Sequence, residues 1–221
     1  MNESLFGQAV DEVAPGAFHV PGWLDGDQQR SLLQACNDLM DGPVPMHSPI
    51  IGFGRKMSVR LVCAGLHWQP YKYGNVASNV NGAQVAPMPE MFATLAHDAL
   101  CATGYDSVTQ NYLPDAALVN VYDETAKMGM HQDKDEKCSA PVVSLSLGNS
   151  CVFRFGNAMT RNKPYRDVVL NSGDLFVFGG ASRYAFHGVV KTMANSAPLQ
   201  LGLNNERFNI TIRQVYAGRQ Q

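Results

Sequence analysis

A chain of 221 residues is long enough for one domain with a substantial hydrophobic core. Its composition is that of a globular protein, with 45% hydrophobic and 16% charged residues and neither internal repeats nor low-complexity tracts. The net charge of −2 excludes a protein that coats nucleic acid through general basicity. Residues 1–50 carry seven acids against Arg30 alone, whereas residues 51–221 carry 16 Lys and Arg against 12 Asp and Glu, so a partner with phosphates would have to be held locally.

The cysteine pattern and the N-terminus indicate a cellular location. Five cysteines are odd in number, scattered and without a CxxC pair, which is typical of reduced thiols and predicts neither a disulfide framework nor a cysteine zinc site. MNESLFGQAVDEVAPG is acidic and has no visible signal peptide, and no stretch reaches the apolar length of a membrane span. We therefore expect a cytoplasmic protein that does not associate with membranes, and nothing in the sequence indicates more than a monomer.

Two segments of the N-terminal half have the apolar periodicity of helices. DQQRSLLQACNDLM (27–40) places five apolar or thiol side chains on one helical face, with Asp25 or Asp27 as the N-cap. PEMFATLAHDALCATG (89–104) predicts a second helix, with Pro89 as its first residue and the terminal glycine as its end. Between them, HWQPYKYGNVASNVNGA reads as a long polar loop with three aromatic side chains.

Short β-rich runs separated by turn residues make up most of the remaining chain. We expect strands at 17–20, 57–65, 116–122, 140–148, 151–156, 167–180, 184–189 and 207–216. The six short runs that begin at residue 116 predict an antiparallel sandwich or barrel of the jelly-roll type, with the helices covering one face. The fold class is therefore mainly β (α+β), with a mixed α/β extension at the N-terminus and no βαβ alternation or Gly-rich phosphate loop.

A candidate metal site begins with His131-Gln132-Asp133, since side chains two residues apart point to the same side of a strand. The spacing alone is common by chance, and a solvated turn explains it equally well. His187, in the aromatic run YAFHGV, supplies a second imidazole. Two imidazoles and one carboxylate form the facial triad of non-haem Fe(II) oxygenases, whereas a core histidine is the alternative explanation for His187 alone.

The segment RFNITIR places Arg207, Asn209, Thr211 and Arg213 on one side of a strand and apolar residues on the other. Two inward arginines need acidic partners, because buried charge is costly when unpaired. A carboxylate of the protein is one candidate partner. A bound carboxylate is another, since arginine is well shaped to bind one through two hydrogen bonds. A dicarboxylate such as 2-oxoglutarate, held by iron at one end and arginine at the other, would use both features.

These motifs occur together, in this order, in a known family. The chain resembles the AlkB family of Fe(II)/2-oxoglutarate dioxygenases in N-x-Y (120–122), H-x-D (131–133), His187 and R-x-N-x-T-x-R (207–213). The resemblance is strong over 116–216 and extends weakly back toward residue 57. The chain departs from bacterial relatives at Phe178, where they often have Trp, and in a slightly longer loop at 195–206.

The resemblance implies a double-stranded β-helix (jelly-roll, cupin-like) core whose N-terminal α/β extension forms a nucleotide-recognition lid. Within a single domain, 1–50 would be the N-terminal extension with a helix, 51–88 the lid, and 89–221 a helix followed by the catalytic core. Iron would be bound by His131, Asp133 and His187. 2-Oxoglutarate would be held by Asn120, Tyr122, Arg207, Asn209 and Arg213. The damaged base would be contacted by Trp68, Tyr71, Tyr73, Asp135 and Arg161.

The implied reaction is oxidative demethylation of N-alkylated bases such as 1-methyladenine and 3-methylcytosine, hence direct-reversal DNA repair. It uses Fe(II), 2-oxoglutarate and O2 and yields formaldehyde, succinate and CO2. The partner would be alkylated single- or double-stranded DNA, with RNA left open. Glu136 is either a helper residue or a solvated acid. Phosphate contacts are expected from Arg55, Lys56, Arg161 and Lys163, each of which is otherwise a solvated charge.

Two other functions remain open from the sequence. A 2-oxoglutarate oxygenase that hydroxylates a protein or a small molecule would have the same core, although the aromatic loop and Asp135 favour a nucleic acid. A non-catalytic, metal-binding cupin-like module is the second alternative. The inward arginines argue against it, because a metal sensor does not need them.

Overall fold

The computed structural model describes residues 9–218, so residues 1–8, which belong to the segment searched for a signal peptide, lie outside the described residues. Its strands, numbered in chain order, form two antiparallel sheets and two small hairpins. Across the major sheet the order is β1 (Asp11–Ala14), β2 (Ala17–Val20), β13 (Leu175–Phe178), β10 (Val142–Gly148), β15 (Arg207–Arg213), β8 (Ala116–Tyr122) and β5 (Arg60–Ala64). Across the minor sheet the order is β12 (Arg166–Leu170), β11 (Cys151–Phe155), β14 (His187–Thr192) and β9 (Met128–His131).

The helices are α1 (Gly26–Met40), α2 (Glu90–Ala102) and the short α3 (Asp106–Thr109). The predicted N-cap of α1 is confirmed at Asp25. Its side chain accepts from the Gln28 backbone N–H at 2.8 Å, and the Gln28 side chain accepts from the Asp25 N–H at 2.9 Å, which closes a capping box. Pro89 is the N-cap of α2 rather than its first helical residue. Among the described residues, no helix combines the length and the apolar character needed to cross a membrane.

The core is divided by the major sheet. On its outer face, Leu32 of α1 and Leu95 of α2 join one apolar cluster with Phe208, Ile210 and Ile212 of β15. The alternation predicted for RFNITIR is therefore confirmed, because the even-numbered residues pack beneath the helices. The odd-numbered residues consequently face the minor sheet, and this inner space holds the candidate site.

Two predictions about the β-structure need correction. The run 167–180 is wrong as one strand, because β12 and β13 lie in different sheets. The chain reverses between them at Gly173, whose φ is +89°, and the Asp174 carboxylate accepts from the Asn171 N–H at 2.8 Å. The polar loop at 67–83 contains a hairpin of β6 (His67–Gln69) and β7 (Lys72–Gly74). Strand β9, which ends in His131, was not predicted.

Two hairpins stand beside the open end of the sandwich. One is β3 (Ile50–Ile51) with β4 (Arg55–Lys56), and its tip carries the fully exposed Phe53. The other is the β6–β7 hairpin, in which Trp68 and Tyr73 pack against an apolar cluster formed with β5 and β8. Strands β2 and β5, from the segments assigned to the extension and the lid, pair with β13 and β8 of the major sheet.

Candidate metal centre and co-substrate pocket

The three predicted metal ligands meet at the end of the minor sheet. His131 is the last residue of β9 and lies directly opposite His187, the first residue of β14, so their ring centroids are 4.5 Å apart. Asp133 follows two residues later. Its carboxylate oxygens lie 3.6 Å from His131 Nε2 and 3.7 Å from His187 Nε2. One ligand atom from each of the three residues lies within 4.8 Å of the other two, which is compact enough to hold one ion.

Both imidazoles are oriented for metal binding by their second nitrogen. The Nδ1 atoms of His131 and His187 lie 3.0 Å from the carbonyl oxygens of Gly129 and Ala185. An N–H donated to each carbonyl leaves Nε2 with the lone pair that a metal needs. Burial, followed by the neighbouring His131, lowers the pKa of His187 to about 4, so this ring is neutral at pH 7.

Asp133 is ionised and has one oxygen free of hydrogen bonds. Burial by itself would raise the pKa of this carboxyl, but the Arg213 guanidinium, 2.8 Å from Oδ2, and the two histidines hold the pKa well below its usual range. No donor is directed at Oδ2 with hydrogen-bond geometry, although the atom is buried. Two oriented imidazoles and a buried carboxylate oxygen with a free lone pair are a donor set that fits Fe(II).

A cavity of about 860 Å³ extends from the triad along the inner face of the major sheet. Strands β8 and β15 lie side by side there, with Asn120 opposite Asn209 and Tyr122 opposite Arg207. The structure therefore brings together all five residues predicted to hold 2-oxoglutarate. Further polar and apolar residues line the same space, and of these the sequence predicted no cavity role for Leu118, Ser144, Phe153, Leu170 or Phe178.

The two inward arginines have different partners. Arg213 is ion-paired with Asp133 at 2.8 Å and with Glu136 at 2.7 Å. Arg207 is 1% exposed, yet within residues 9–218 it has no ion pair. Its guanidinium donates to Ser146 Oγ at 3.1 Å and to the Asn149 carbonyl at 3.3 Å, and its Nε has no acceptor in the part of the chain that the structure describes. Arg207 is therefore a buried cation that lines the cavity and has no acid of the described chain beside it. This arrangement is suited to binding one carboxylate of 2-oxoglutarate.

The other predicted co-substrate residues supply neutral polar groups. Burial raises the pKa of the Tyr122 hydroxyl, so it is a neutral donor at pH 7. The Asn209 side chain donates to Ser144 Oγ at 2.7 Å and accepts from Thr211 Oγ1 at 3.1 Å, which fixes its orientation. Tyr122 and Asn209 therefore place uncharged hydrogen-bonding groups beside Arg207, where they can orient a bound carboxylate without competing for its charge.

Four of the five residues predicted to contact the base line the mouth of the same cavity: Trp68, Tyr71, Asp135 and Arg161. The Trp68 indole N–H donates to Asp135 Oδ2 at 2.9 Å, so these two predicted residues form one unit. The Tyr71 hydroxyl accepts from the Gly52 N–H at 3.2 Å and thereby joins the two hairpins. Arg161 is exposed and lies over the Phe186 ring, with its guanidinium carbon 5.5 Å from the ring centroid.

Tyr73 does not line the cavity. Its hydroxyl donates to Glu136 Oε1 at 2.7 Å and accepts from Arg213 at 3.0 Å, behind the metal centre. The structure thus separates Tyr73 from the residues predicted to meet the base. The solvated alternative for Glu136 is wrong, because its side chain is fully buried and is also bound by Arg183 at 3.1 Å.

The rim of the cavity is basic. Among the predicted phosphate contacts, Arg55, Lys56 and Arg161 are exposed and line its mouth, whereas Lys163 does not. Lys127 and Lys134 add two exposed cations that are not among the predicted phosphate contacts. Their positions depend on which loops meet at the mouth, which no local pattern in the sequence shows.

Comparison with known proteins agrees with this geometry. The model of the 2OG-Fe(II) oxygenase superfamily matches residues 16–213. The chain is 35% identical over 191 residues to the alpha-ketoglutarate-dependent dioxygenase AlkB of Escherichia coli (strain K12), and the alignment covers 84% of each protein. The chain belongs to the AlkB family. It is therefore an Fe(II)/2-oxoglutarate-dependent dioxygenase, and the predicted use of Fe(II), 2-oxoglutarate and O2 is confirmed.

Other AlkB-family relatives extend the comparison. The chain is 30% identical over 221 residues to the DNA N(6)-methyladenine demethylase ALKBH1D of Arabidopsis thaliana. That alignment covers 91% of this chain and 50% of the plant protein, so the chain spans about half the length of this relative. The structure of OsALKBH1 is similar with a TM-score of 0.82 and 33% identity, covering 92% of this chain and 100% of that one. The predicted mainly β, jelly-roll fold is confirmed.

Proposed function

We propose that this AlkB-family dioxygenase removes N-alkyl groups from nucleic-acid bases, with 1-methyladenine and 3-methylcytosine in DNA as its substrates. One observation carries the proposal: one cavity is lined by Arg207, which has no ion pair among the described residues, by the His131/Asp133/His187 triad, and by the Trp68–Asp135 pair with exposed cations. Such a cavity has room for a co-substrate on one side of the metal site and a planar base on the other.

Fe(II), when bound with 2-oxoglutarate and O2, supplies the oxidation that hydroxylates the alkyl carbon, with formaldehyde, succinate and CO2 as products. The chain contributes binding and orientation. Arg207 binds the far carboxylate of the co-substrate, the Tyr122 hydroxyl and the Asn120 amide lie beside it, and the triad holds the metal. No protein nucleophile is required, which agrees with a cavity whose lining includes no cysteine.

The residues at the mouth of the cavity recognise the base. A base must leave its stack to reach the metal site, which costs a few kcal/mol in a duplex and less when the alkyl group already blocks pairing. Stacking on an aromatic side chain returns roughly 1–3 kcal/mol. Trp68 suits this task because Asp135 fixes the edge of the indole through its N–H while one carboxylate oxygen, Oδ1, remains available to a base amino group.

A nucleic acid is favoured over a protein or small-molecule substrate by the rim. Exposed Arg55, Lys56, Lys127, Lys134 and Arg161 surround the mouth of a chain whose net charge is −2. Phosphates are the partner that a local basic ring around an aromatic pocket recognises. RNA with the same lesions is the second candidate substrate. A monomeric state and a cytoplasmic location stay predictions from the sequence.

The proposal is tested with Fe(II), 2-oxoglutarate and methylated oligonucleotides: single-stranded DNA, duplex DNA and RNA of one sequence. Formaldehyde and succinate are expected in equal amounts from at least one DNA substrate, together with the unmodified base. Asp133→Asn should abolish both products, whereas Asp167→Asn, at an exposed pair with Arg154 on the minor sheet, should leave both unchanged. If succinate forms but none of the oligonucleotides yields formaldehyde, a nucleic acid is not the substrate.

A further inference from the structure

A buried charge cluster lies behind the metal ligands and is not explained by iron or co-substrate binding alone. It contains two acids, Asp133 and Glu136, and two arginines, Arg183 and Arg213, whose side chains are 0–9% exposed. Its formal charge is zero. Such a cluster is stable only when each charge is compensated, because an unpaired charge in the interior is costly.

Within this cluster, Arg213 and a metal ion compete for the same carboxylate. Arg213 Nη2 lies 2.8 Å from Asp133 Oδ2, an oxygen that is also 3.7 Å from His187 Nε2. A guanidinium whose only acid is Asp133 would hold this carboxylate in an ion pair and repel a divalent cation placed beside it. Arg213 has a second acid, however, since its Nη1 donates to Glu136 Oε1 at 2.7 Å.

Two further side chains hold the Glu136 carboxylate beside Arg213. Tyr73 donates to its Oε1 at 2.7 Å, and Arg183 donates to its Oε2 at 3.1 Å. Arg183 also donates to the main-chain carbonyls of Asp133 and Ala140, both at 2.6 Å, so it ties Glu136 to the loop that carries the metal ligand. The Glu136 side chain is fully buried and therefore does not read the substrate directly.

We propose that Glu136 is the counter-ion of Arg213 and that, by neutralising this guanidinium, it leaves the Asp133 carboxylate free to bind iron. Glu136 is thus a positioning residue for the metal centre. The proposal depends on the metal site and not on the identity of the substrate. It predicts that the charge of Glu136, rather than its shape or its hydrogen bonds, sets the affinity for the metal.

The test measures binding of Mn(II), an air-stable substitute for Fe(II), by calorimetry without 2-oxoglutarate or nucleic acid. Glu136→Gln should weaken Mn(II) binding roughly ten- to a hundredfold, the effect typical of residues that orient metal ligands. Tyr73→Phe retains every charge and should change the affinity less than about threefold. Asp167→Asn, which removes an exposed acid that is paired with Arg154 and has no contact with the cluster among the described residues, should bind Mn(II) like the unaltered protein.

The decisive variant is Glu136→Gln combined with Arg213→Gln. If Glu136 acts by neutralising Arg213, removing both charges restores Mn(II) affinity to within about threefold of the unaltered protein. If Glu136 merely supports the local structure, the double variant binds no better than Glu136→Gln, and the proposal fails. Unchanged affinity in folded Glu136→Gln overturns it as well. Should Glu136→Gln not fold, the double variant still decides, because its affinity must then match that of the unaltered protein.

Discussion

Replacing Arg207 with methionine is expected to weaken 2-oxoglutarate binding strongly. The free energy of unfolding of the protein without co-substrate should not fall. In the complex, removing one partner of a buried, hydrogen-bonded ion pair costs about 3–5 kcal/mol. At 1.36 kcal/mol per factor of ten, this corresponds to a dissociation constant raised roughly 10²- to 10⁴-fold. Without co-substrate, Arg207 is a buried cation that donates to Ser146 Oγ and the Asn149 carbonyl and has no ion pair within residues 9–218. An apolar side chain of similar length removes this uncompensated charge and offsets the lost hydrogen bonds.

Arg213→Met is the matched control. Arg213 lies on the same face of β15 as Arg207, but it is ion-paired with the protein acids Asp133 and Glu136. Its loss leaves Asp133 and Glu136 buried with Arg183 as their only cation among the described residues. The free energy of unfolding of the metal-free protein should therefore fall by about 3–5 kcal/mol. For Arg207→Met it should stay within about 1 kcal/mol of the unaltered value or rise.

Two measurements separate these effects. Urea unfolding in the presence of a chelator gives the stability of the metal-free chain, and calorimetric titration of the Mn(II)-loaded protein gives the affinity for 2-oxoglutarate. Unchanged 2-oxoglutarate affinity in Arg207→Met would show that another group binds the carboxylate. If Arg207→Met loses as much stability as Arg213→Met, the positive charges of both arginines are equally well neutralised by the protein. That result would contradict the difference in their ion pairs.

Three further predictions follow from the site. Asp133→Ala should retain the fold, since Arg213 keeps Glu136 as a partner, but lose bound iron and activity; metal analysis and circular dichroism check this, and an active variant would refute the triad. Trp68→Ala should raise the KM for a methylated oligonucleotide about ten- to a hundredfold through lost stacking, whereas Trp68→Phe, which loses only the bond to Asp135, should raise it less. Oligonucleotide affinity should fall with salt, and Lys127→Ala should reduce the slope of log K against log salt by about 0.7 to 0.9, as measured by fluorescence anisotropy; an unchanged slope would place this rim cation away from phosphates.

The part of the site carried by single strands could be predicted from the sequence. In β15 the backbone fixes an alternation of two, so the four residues that face the cavity follow directly from RFNITIR. The same rule placed His131 and Asp133 on one side of the chain. What the rule could not supply is the pairing between strands. The contact between His131 and His187 depends on β9 lying beside β14, and β9 lacks the β-branched composition by which a strand is recognised.

The β6–β7 hairpin shows why the remaining side chains could not be assigned from sequence. Trp68, Tyr71 and Tyr73 occur within six residues of a predicted loop, and the sequence predicts the same base-contacting role for all three. In the β6–β7 hairpin, however, Trp68 lies opposite Tyr73 while Tyr71, with φ at +75°, occupies the turn and is exposed. Only the register of this hairpin decides which hydroxyl is buried, and register is set by the turn geometry and by packing against β5 and β8.

The segment MHQDKDE gains a sharper interpretation from these contacts. Its three acids bind three different groups: Asp133 faces the metal site, Asp135 accepts from Trp68, and Glu136 accepts from Tyr73 and both arginines. Trp68 and Tyr73 belong to one hairpin, so this hairpin is attached twice within three residues of the metal ligand Asp133. If this hairpin moves to admit a base, it must either break these bonds or carry the Asp133 loop with it. Metal binding and base entry therefore act on the same short segment of the chain.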